Sequence, residues 1–235
     1  MNQILVIENL HTFYGASHIL QGVSCALENG LLAIVGRNGM GKTTLVKSIM
    51  GLVPASSGRI LLRGEDVTNL KPYQIASRGV GYIPQGRELF PSLNVDEHLV
   101  LVSREGRGWN RDRIYALFPN LRRHVNTRAM QLSGGEQQML AIGRALMTNP
   151  SLLIMDEPSE GLAPIVLKSL IETFSRLVES GISILLIEQN LRFATSLVKE
   201  LYVMVTGRIV QKIDSQTILH DRKVQERLLG VSVHF

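Results

Sequence analysis

Leu31-Leu32-Ala33-Ile34-Val35-Gly36-Arg37-Asn38-Gly39-Met40-Gly41-Lys42-Thr43-Thr44 is the stretch that decides the fold. Leu31 to Val35 is an unbroken apolar run of strand length, and Gly36 to Thr43 fully matches G-x-x-x-x-G-K-[ST] before a helical run ending near Gly51. Strand, glycine-rich turn and helix in that order make a phosphate cradle. The glycines let backbone N–H groups converge on oxygens, and the helix start adds positive partial charge. Lys42 then reaches β- and γ-phosphates, while the Thr43 hydroxyl is a ligand for Mg²⁺. The candidate nucleotide-binding residues are Gly36, Arg37, Asn38, Gly39, Met40, Gly41, Lys42, Thr43 and Thr44.

Outward from this stretch, short Val/Ile/Leu-rich runs alternate with longer segments of helical period, the pattern of an α/β protein with a mainly parallel sheet. Strands are expected at Ile4 to Ile7, Leu31 to Val35, Ile60 to Leu62, Val80 to Ile83, Leu152 to Met155, Ile182 to Ile187, Tyr202 to Val205 and Ile209 to Ile213. The clearest helix is Pro164 to Ser180, with Leu167, Leu170, Ile171, Phe174, Leu177 and Val178 on one face and Gly181 as a stop. Another opens at Ser133, where Ser133-Gly134-Gly135-Glu136 reads as a capping box, and carries Met139, Ile142 and Leu146 on one stripe. Between Arg87 and Met130 the strand signal disappears, which suggests a mostly helical insertion spanning about 87–150 within a single domain of residues 1–235.

The composition of the 235 residues, 45% hydrophobic and 19% charged with 8 Pro, excludes a disordered or collagen-like chain. Apolar runs such as Leu31 to Val35 fall far short of the roughly 20 residues that span a bilayer. The single cysteine, Cys25, and a start, MNQILVIENL, without the layout of a signal peptide point to a reducing cytosol. The net charge of +5 resides in one place. Arg104, Arg107, Arg111, Arg113, Arg122, Arg123 and Arg128 face only Glu105 and Asp112 within 104–128, and charges elsewhere cancel. This segment is either a solvated basic face or a partner-binding surface.

Leu152-Leu153-Ile154-Met155-Asp156-Glu157 is a buried strand ending in two acids. Beside a phosphate loop, Asp156 is a candidate Mg²⁺ ligand and Glu157 a candidate general base for the attacking water. Combined with these two motifs, Leu132-Ser133-Gly134-Gly135-Glu136-Gln137 makes the chain resemble, over essentially its whole length, the nucleotide-binding subunit of ATP-binding cassette transporters. That resemblance implies a P-loop NTPase core with a small antiparallel β portion and the helical insertion. It also implies that two ATPase subunits, identical or different, sandwich ATP, with Ser133, Gly134 and Gly135 binding the γ-phosphate held by the opposite subunit.

The same resemblance implies roles for residues in weaker strings. Tyr14 is the aromatic on which adenine stacks, Gln85 meets Mg²⁺ or the lytic water, and Ser159-Glu160-Gly161-Leu162 crosses the dimer interface. Two positions depart from the family pattern. Gln189 stands where a histidine usually ends the strand after the acidic one, and Ala163 where many members have Asp. Gln189 can hydrogen-bond a γ-phosphate but carries no charge. Gln85-Gly86-Arg87-Glu88, Ser159 to Pro164 and Glu188-Gln189-Asn190 resemble the second ATP-binding subunit of importers for branched-chain and related hydrophobic amino acids, with urea and short-chain amide importers using similar strings.

The resemblance thus implies an ATPase on the cytoplasmic side of the plasma (inner) membrane. It would be held peripherally by membrane-spanning permease subunits, linked indirectly to a solute-binding protein, and would bind no nucleic acid. A soluble ATPase acting on nucleic acid or ribosomes, and a module that holds ATP without turnover, are the competing readings. The absence of coiled-coil heptads and of a second cassette weighs against the first, and Glu157 against the second.

Overall fold

Residues 3–103 and 108–229 are described in a computed structural model. The chain runs β1 (Leu5–Tyr14), β2 (Ser17–Leu27), β3 (Leu31–Val35), α1 (Lys42–Ile49), β4 (Ser57–Leu62), β5 (Glu65–Asp66), α2 (Pro72–Ser77) and β6 (Val80–Ile83). It continues through α3 (Val95–Leu101), α4 (Arg111–Leu117), α5 (Pro119–Arg123), α6 (Gly134–Leu146), β7 (Leu152–Asp156) and α7 (Pro164–Glu179). The last elements are β8 (Ser183–Glu188), α8 (Leu191–Thr195), β9 (Glu200–Val205), β10 (Arg208–Asp214), α9 (Ser215–His220) and α10 (Arg222–Leu229).

Six strands form the larger sheet in the order β10-β9-β3-β8-β7-β6, parallel except for the edge strand β10. Because the side chains of a strand alternate, this sheet separates two cores. Ala33, Val35, Leu153, Met155, Ile184 and Leu186 face one, with Leu140, Leu146, Leu170 and Phe174 from α6 and α7. Leu32, Ile34, Leu152, Ile154, Leu185 and Ile187 face the other, packed on α1 and the smaller sheet. Strands covered on both faces are why β3, β7 and β8 read as continuous apolar runs.

The smaller sheet, β2-β1-β4-β5, is antiparallel throughout. The expected strand Ile4 to Ile7 is here a ten-residue strand, and its hairpin partner β2 was not expected at all. The reason is irregular pairing: the register slips three times along β1·β2, and Asn9 (φ 44°) and Gly22 (φ 81°) take left-handed backbone there. A Cβ on Gly22 would sit 2.9 Å from Asn9 Oδ1, so the residue is glycine for space as well as conformation. Each slip resets the apolar alternation that would reveal a strand.

Between β6 and β7 the described residues form only helices and one isolated bridge, Asn94 with Arg128. Arg104 and Arg107 lie outside the described residues. Arg111 pairs with Asp96 at 2.8 Å, and Arg113, Arg122, Arg123 and Arg128 are exposed. α7 matches its expected span to within one residue, and α6 starts from Ser133 with both arms of the capping box formed.

Candidate functional site

The carboxyl ends of β3, β8 and β7 lie side by side, with Val35 level with Glu188 and Ile187 level with Asp156. Every loop leaving these ends therefore opens toward one point, the usual position of a site in an open parallel sheet. A cleft of about 450 Å³ sits there, walled by Asn38, Gly39, Gly41, Lys42, Thr43, Thr44, Gln85 and Glu157, with Ile19 from β2. Six residues of the phosphate loop thus meet one residue from each of the two other motifs, and Ile19 is a wall to which the sequence gives no clue.

α1 opens at Gly41, which has φ 97° and no side-chain cap, so the first N–H groups of the helix keep no acceptor of their own. Gly36 is pressed against the Met204 carbonyl, where a Cβ would approach to 2.5 Å. Met40 ties the loop to the β9–β10 turn by accepting the Gly207 N–H at 2.9 Å. Arg37 contributes its carbonyl, and its side chain is exposed. Lys42 is buried. Its ammonium donates to Gly36 O at 2.8 Å and Arg37 O at 3.0 Å, and pairs with Glu157 Oε1 at 3.0 Å.

Asp156 is 1% exposed, and neither carboxylate oxygen has a hydrogen-bond partner among the described residues. Burial pushes its carboxyl above the ordinary range. The Thr43 hydroxyl, close by without completing a hydrogen bond, and Lys42 and Lys47 pull it partly back against Glu157. A buried carboxylate without partners is costly unless a cation completes it. No cluster of three or more acidic, His or Cys ligands exists among the described residues. One acid beside one hydroxyl suits Mg²⁺, which keeps several waters and takes the rest of its shell from phosphates.

Glu157 adopts φ 50°, a left-handed conformation rare for a non-glycine residue, and its N–H donates to Ile187 O at 2.9 Å. Gln85 donates to Glu157 Oε2 at 3.3 Å and to Glu160 Oε2 at 3.0 Å. Gln189, exposed at the end of β8, stands on a second cleft of about 360 Å³ with Glu157, Ser159, Glu160 and Glu188. Glu157 is thus the wall common to both clefts. Neither Glu160 nor Glu188 has a role of its own in the sequence reading. Glu188 did carry a signal, because an acid closing an otherwise apolar buried strand needs partners to remain there.

Ser133, Gly134 and Gly135 are on neither cleft. Ser133 Oγ donates to Glu136 at 2.7 Å, and the N–H groups of Gly134 and Gly135 begin α6, where a helix has no acceptors of its own. Arg87 joins this helix to the loop after β7, donating to Gln138 Oε1 at 3.2 Å, Gln137 Oε1 at 3.3 Å and Glu160 O at 3.3 Å. Arg144 donates to the Glu88 carbonyl at 2.8 Å and lies 5.7 Å above the Phe90 ring. The segment after Gln85 is therefore held from both sides.

Tyr14 ends β1 outside the cleft wall and is 47% exposed, leaving its ring free to cover a base. Tyr14→Ala is expected to weaken ATP binding by roughly 1–3 kcal/mol, the contribution of one base–aromatic stack. Titration with a fluorescent ATP analogue measures it, and an unchanged affinity removes Tyr14 from the site.

A family model described as ABC transporter matches residues 20–160. The high-affinity branched-chain amino acid transport ATP-binding protein BraG of Pseudomonas aeruginosa is 37% identical over 97% of the chain and 100% of its own length. The probable branched-chain amino acid transport ATP-binding protein LivF of Archaeoglobus fulgidus is 34% identical, covering 94% of the chain and 97% of its own. Among solved structures, a nucleotide-free ATP-binding cassette from an ABC transporter superposes with a TM-score of 0.86 at 29% identity, covering 97% of this chain and 100% of that one.

Proposed function

From the premise that this chain belongs to the ABC transporter ATP-binding family, we propose that it is the ATP-hydrolysing subunit of an importer for branched-chain or related hydrophobic amino acids. Likeness to two branched-chain amino acid transport proteins over nearly the whole chain supports the cargo class. The chemistry rests on one observation: Glu157 pairs with Lys42 and accepts from Gln85 in the cleft that the phosphate loop lines.

Backbone N–H groups of Gly39 to Thr44 and the Lys42 ammonium hold the β- and γ-phosphates. Tyr14 covers the base, and Thr43, Asp156 and Gln85 would hold Mg²⁺. When bound, Mg²⁺ neutralises charge on the phosphate oxygens. As phosphate oxygens draw Lys42 off, a Glu157 oxygen becomes able to accept the proton of the attacking water. Gln189 donates a neutral hydrogen bond to the γ-phosphate from the neighbouring cleft. The N–H groups of Gly134 and Gly135 and the Ser133 hydroxyl complete the site from a second ATPase subunit.

ATPase subunits of this family work with membrane permease subunits, and no helix among the described residues is long and apolar enough to cross a membrane. On this reading the chain attaches to the inner face of the plasma membrane through a permease. Arg87, Glu88 and Phe90, directly after Gln85, lie where cleft contacts pass to such a partner. The permease in turn meets a solute-binding protein.

Reconstituting the chain with the permease subunits of a branched-chain amino acid importer, in vesicles loaded with ATP on the ATPase side, tests this reading. ATP-dependent uptake of labelled leucine is expected, with little uptake of urea or acetamide. Copurification of RNA or DNA that is released steeply by salt, with no uptake, would replace it by the nucleic-acid reading.

A further inference from the structure

Glu188 closes β8 at 1% exposure, after Ser183 to Ile187, every one of them buried. Its carboxylate accepts four hydrogen bonds, all from the two loops around the second cleft. Oε1 takes the Ser159 N–H at 3.0 Å. Oε2 takes the Ser159 hydroxyl at 2.9 Å and the Gln189 and Asn190 N–H groups at 3.2 and 3.1 Å. Its backbone carbonyl accepts the Gly36 N–H at 3.3 Å, so the same residue also borders the phosphate loop.

We propose that Glu188 is a positioning residue for ATP hydrolysis, its carboxylate fixing the Glu157–Ser159 turn against the strand end that carries Gln189. This rests on the reading of Glu157 as general base. Four donors converging on one side chain call for a group that only accepts, which among the side chains is a carboxylate. The turn also needs holding, since Glu157 sits in left-handed backbone that persists only when its surroundings over-determine it. Two anchors do so: Glu157 N–H on Ile187 O, and Ser159 on Glu188. A misplaced base costs rate without costing nucleotide affinity, because the phosphate loop meets Glu188 only through backbone.

Burial pushes the Glu188 carboxyl up to about 7, with Ser159 and Asn190 pulling down and the charge of Glu157 adding to the rise. Glu157 is itself tied to Lys42, while the strand end presents N–H groups to the Glu188 carboxylate and Gly36, after β3, an N–H to its backbone carbonyl. A protonated Glu188 has an O–H aimed among donors, so turnover should fall on the acid side of about pH 7.

The test measures kcat, KM for ATP and their pH profiles in Glu188→Gln, Ser159→Ala and Glu157→Gln chains, with nucleotide affinity read separately by a fluorescent ATP analogue. Glu188→Gln is expected to lower kcat by roughly 10- to 100-fold, as a small misplacement of a catalytic group does, with KM and affinity nearly unchanged and the acid limb gone. Ser159→Ala, which keeps the carboxylate, should move that limb to higher pH, because it removes a bond that favours ionised Glu188. It remains decisive if the Gln chain does not fold. An unchanged kcat and limb in both variants, or kcat and affinity falling together, would overturn the proposal. If Glu157→Gln hydrolyses ATP at a near-parental rate, the reading of the base fails and this inference with it. If only the Glu188 and Ser159 variants behave like the parent, the inference alone fails.

Discussion

A Glu157→Gln chain should retain ATP and Mg²⁺ but hydrolyse ATP roughly 10²–10⁴-fold more slowly, the usual contribution of a general base. The substitution is nearly isosteric. Its carbonyl oxygen can replace Oε2 as acceptor from Gln85, and Lys42 keeps its contacts to the carbonyls of Gly36 and Arg37. What disappears is a group able to take a proton from water. Because closure on ATP would no longer be reversed by hydrolysis, the variant with ATP should elute as a dimer. Phosphate release and size-exclusion chromatography read the two effects, and near-parental turnover would remove Glu157 from the base role.

Lys42→Ala is expected to abolish ATP-dependent function altogether, and for two reasons. The phosphates lose their point charge, and Glu157 is left buried beside Gln85 without its counter-ion at 3.0 Å. Removing one member of a buried pair typically costs about 3–5 kcal/mol, so thermal stability should fall along with nucleotide binding. A mixture separates the catalytic loss from the structural one. A Lys42→Ala subunit still supplies Ser133 to Gly135, and a Ser133→Arg subunit still supplies an intact phosphate loop. Their hybrid should recover one composite site and with it measurable ATPase activity. A hybrid as inactive as both parents would sink the arrangement in trans.

The readable parts of the fold were those whose local chemistry admits one solution. β3, β6 and β7 are buried on both faces and announce themselves as apolar runs, and the Gly36–Thr43 spacing leaves a single loop geometry. β2 was hidden because its alternation is interrupted at Gly22 and its exposed positions are Ser and His. Within the site, Lys42 and Thr43 were legible because motif spacing names them, Glu157 because it ends an apolar strand beside a phosphate loop, and Gln85 only through the family resemblance. Ile19 and Glu188 were not, since one reaches the cleft through a hairpin slip and the other through a strand register 29 residues from its Ser159 partner. Arg87 was legible as a position but not in its contacts, which depend on how α6 meets the loop after β7.

The three-way tether of the Lys42 ammonium also sets which anions the pocket will accept. A lone inorganic phosphate, or the single phosphate of a mononucleotide, would have to outbid a carboxylate and two carbonyls with one group, and gains little by doing so. A triphosphate brings several oxygens along the whole length of the loop and can compensate for the contacts it displaces. On the proposed reading the pocket would discriminate among phosphates by chain length, with Glu157 keeping its Lys42 partner until a triphosphate draws that lysine away.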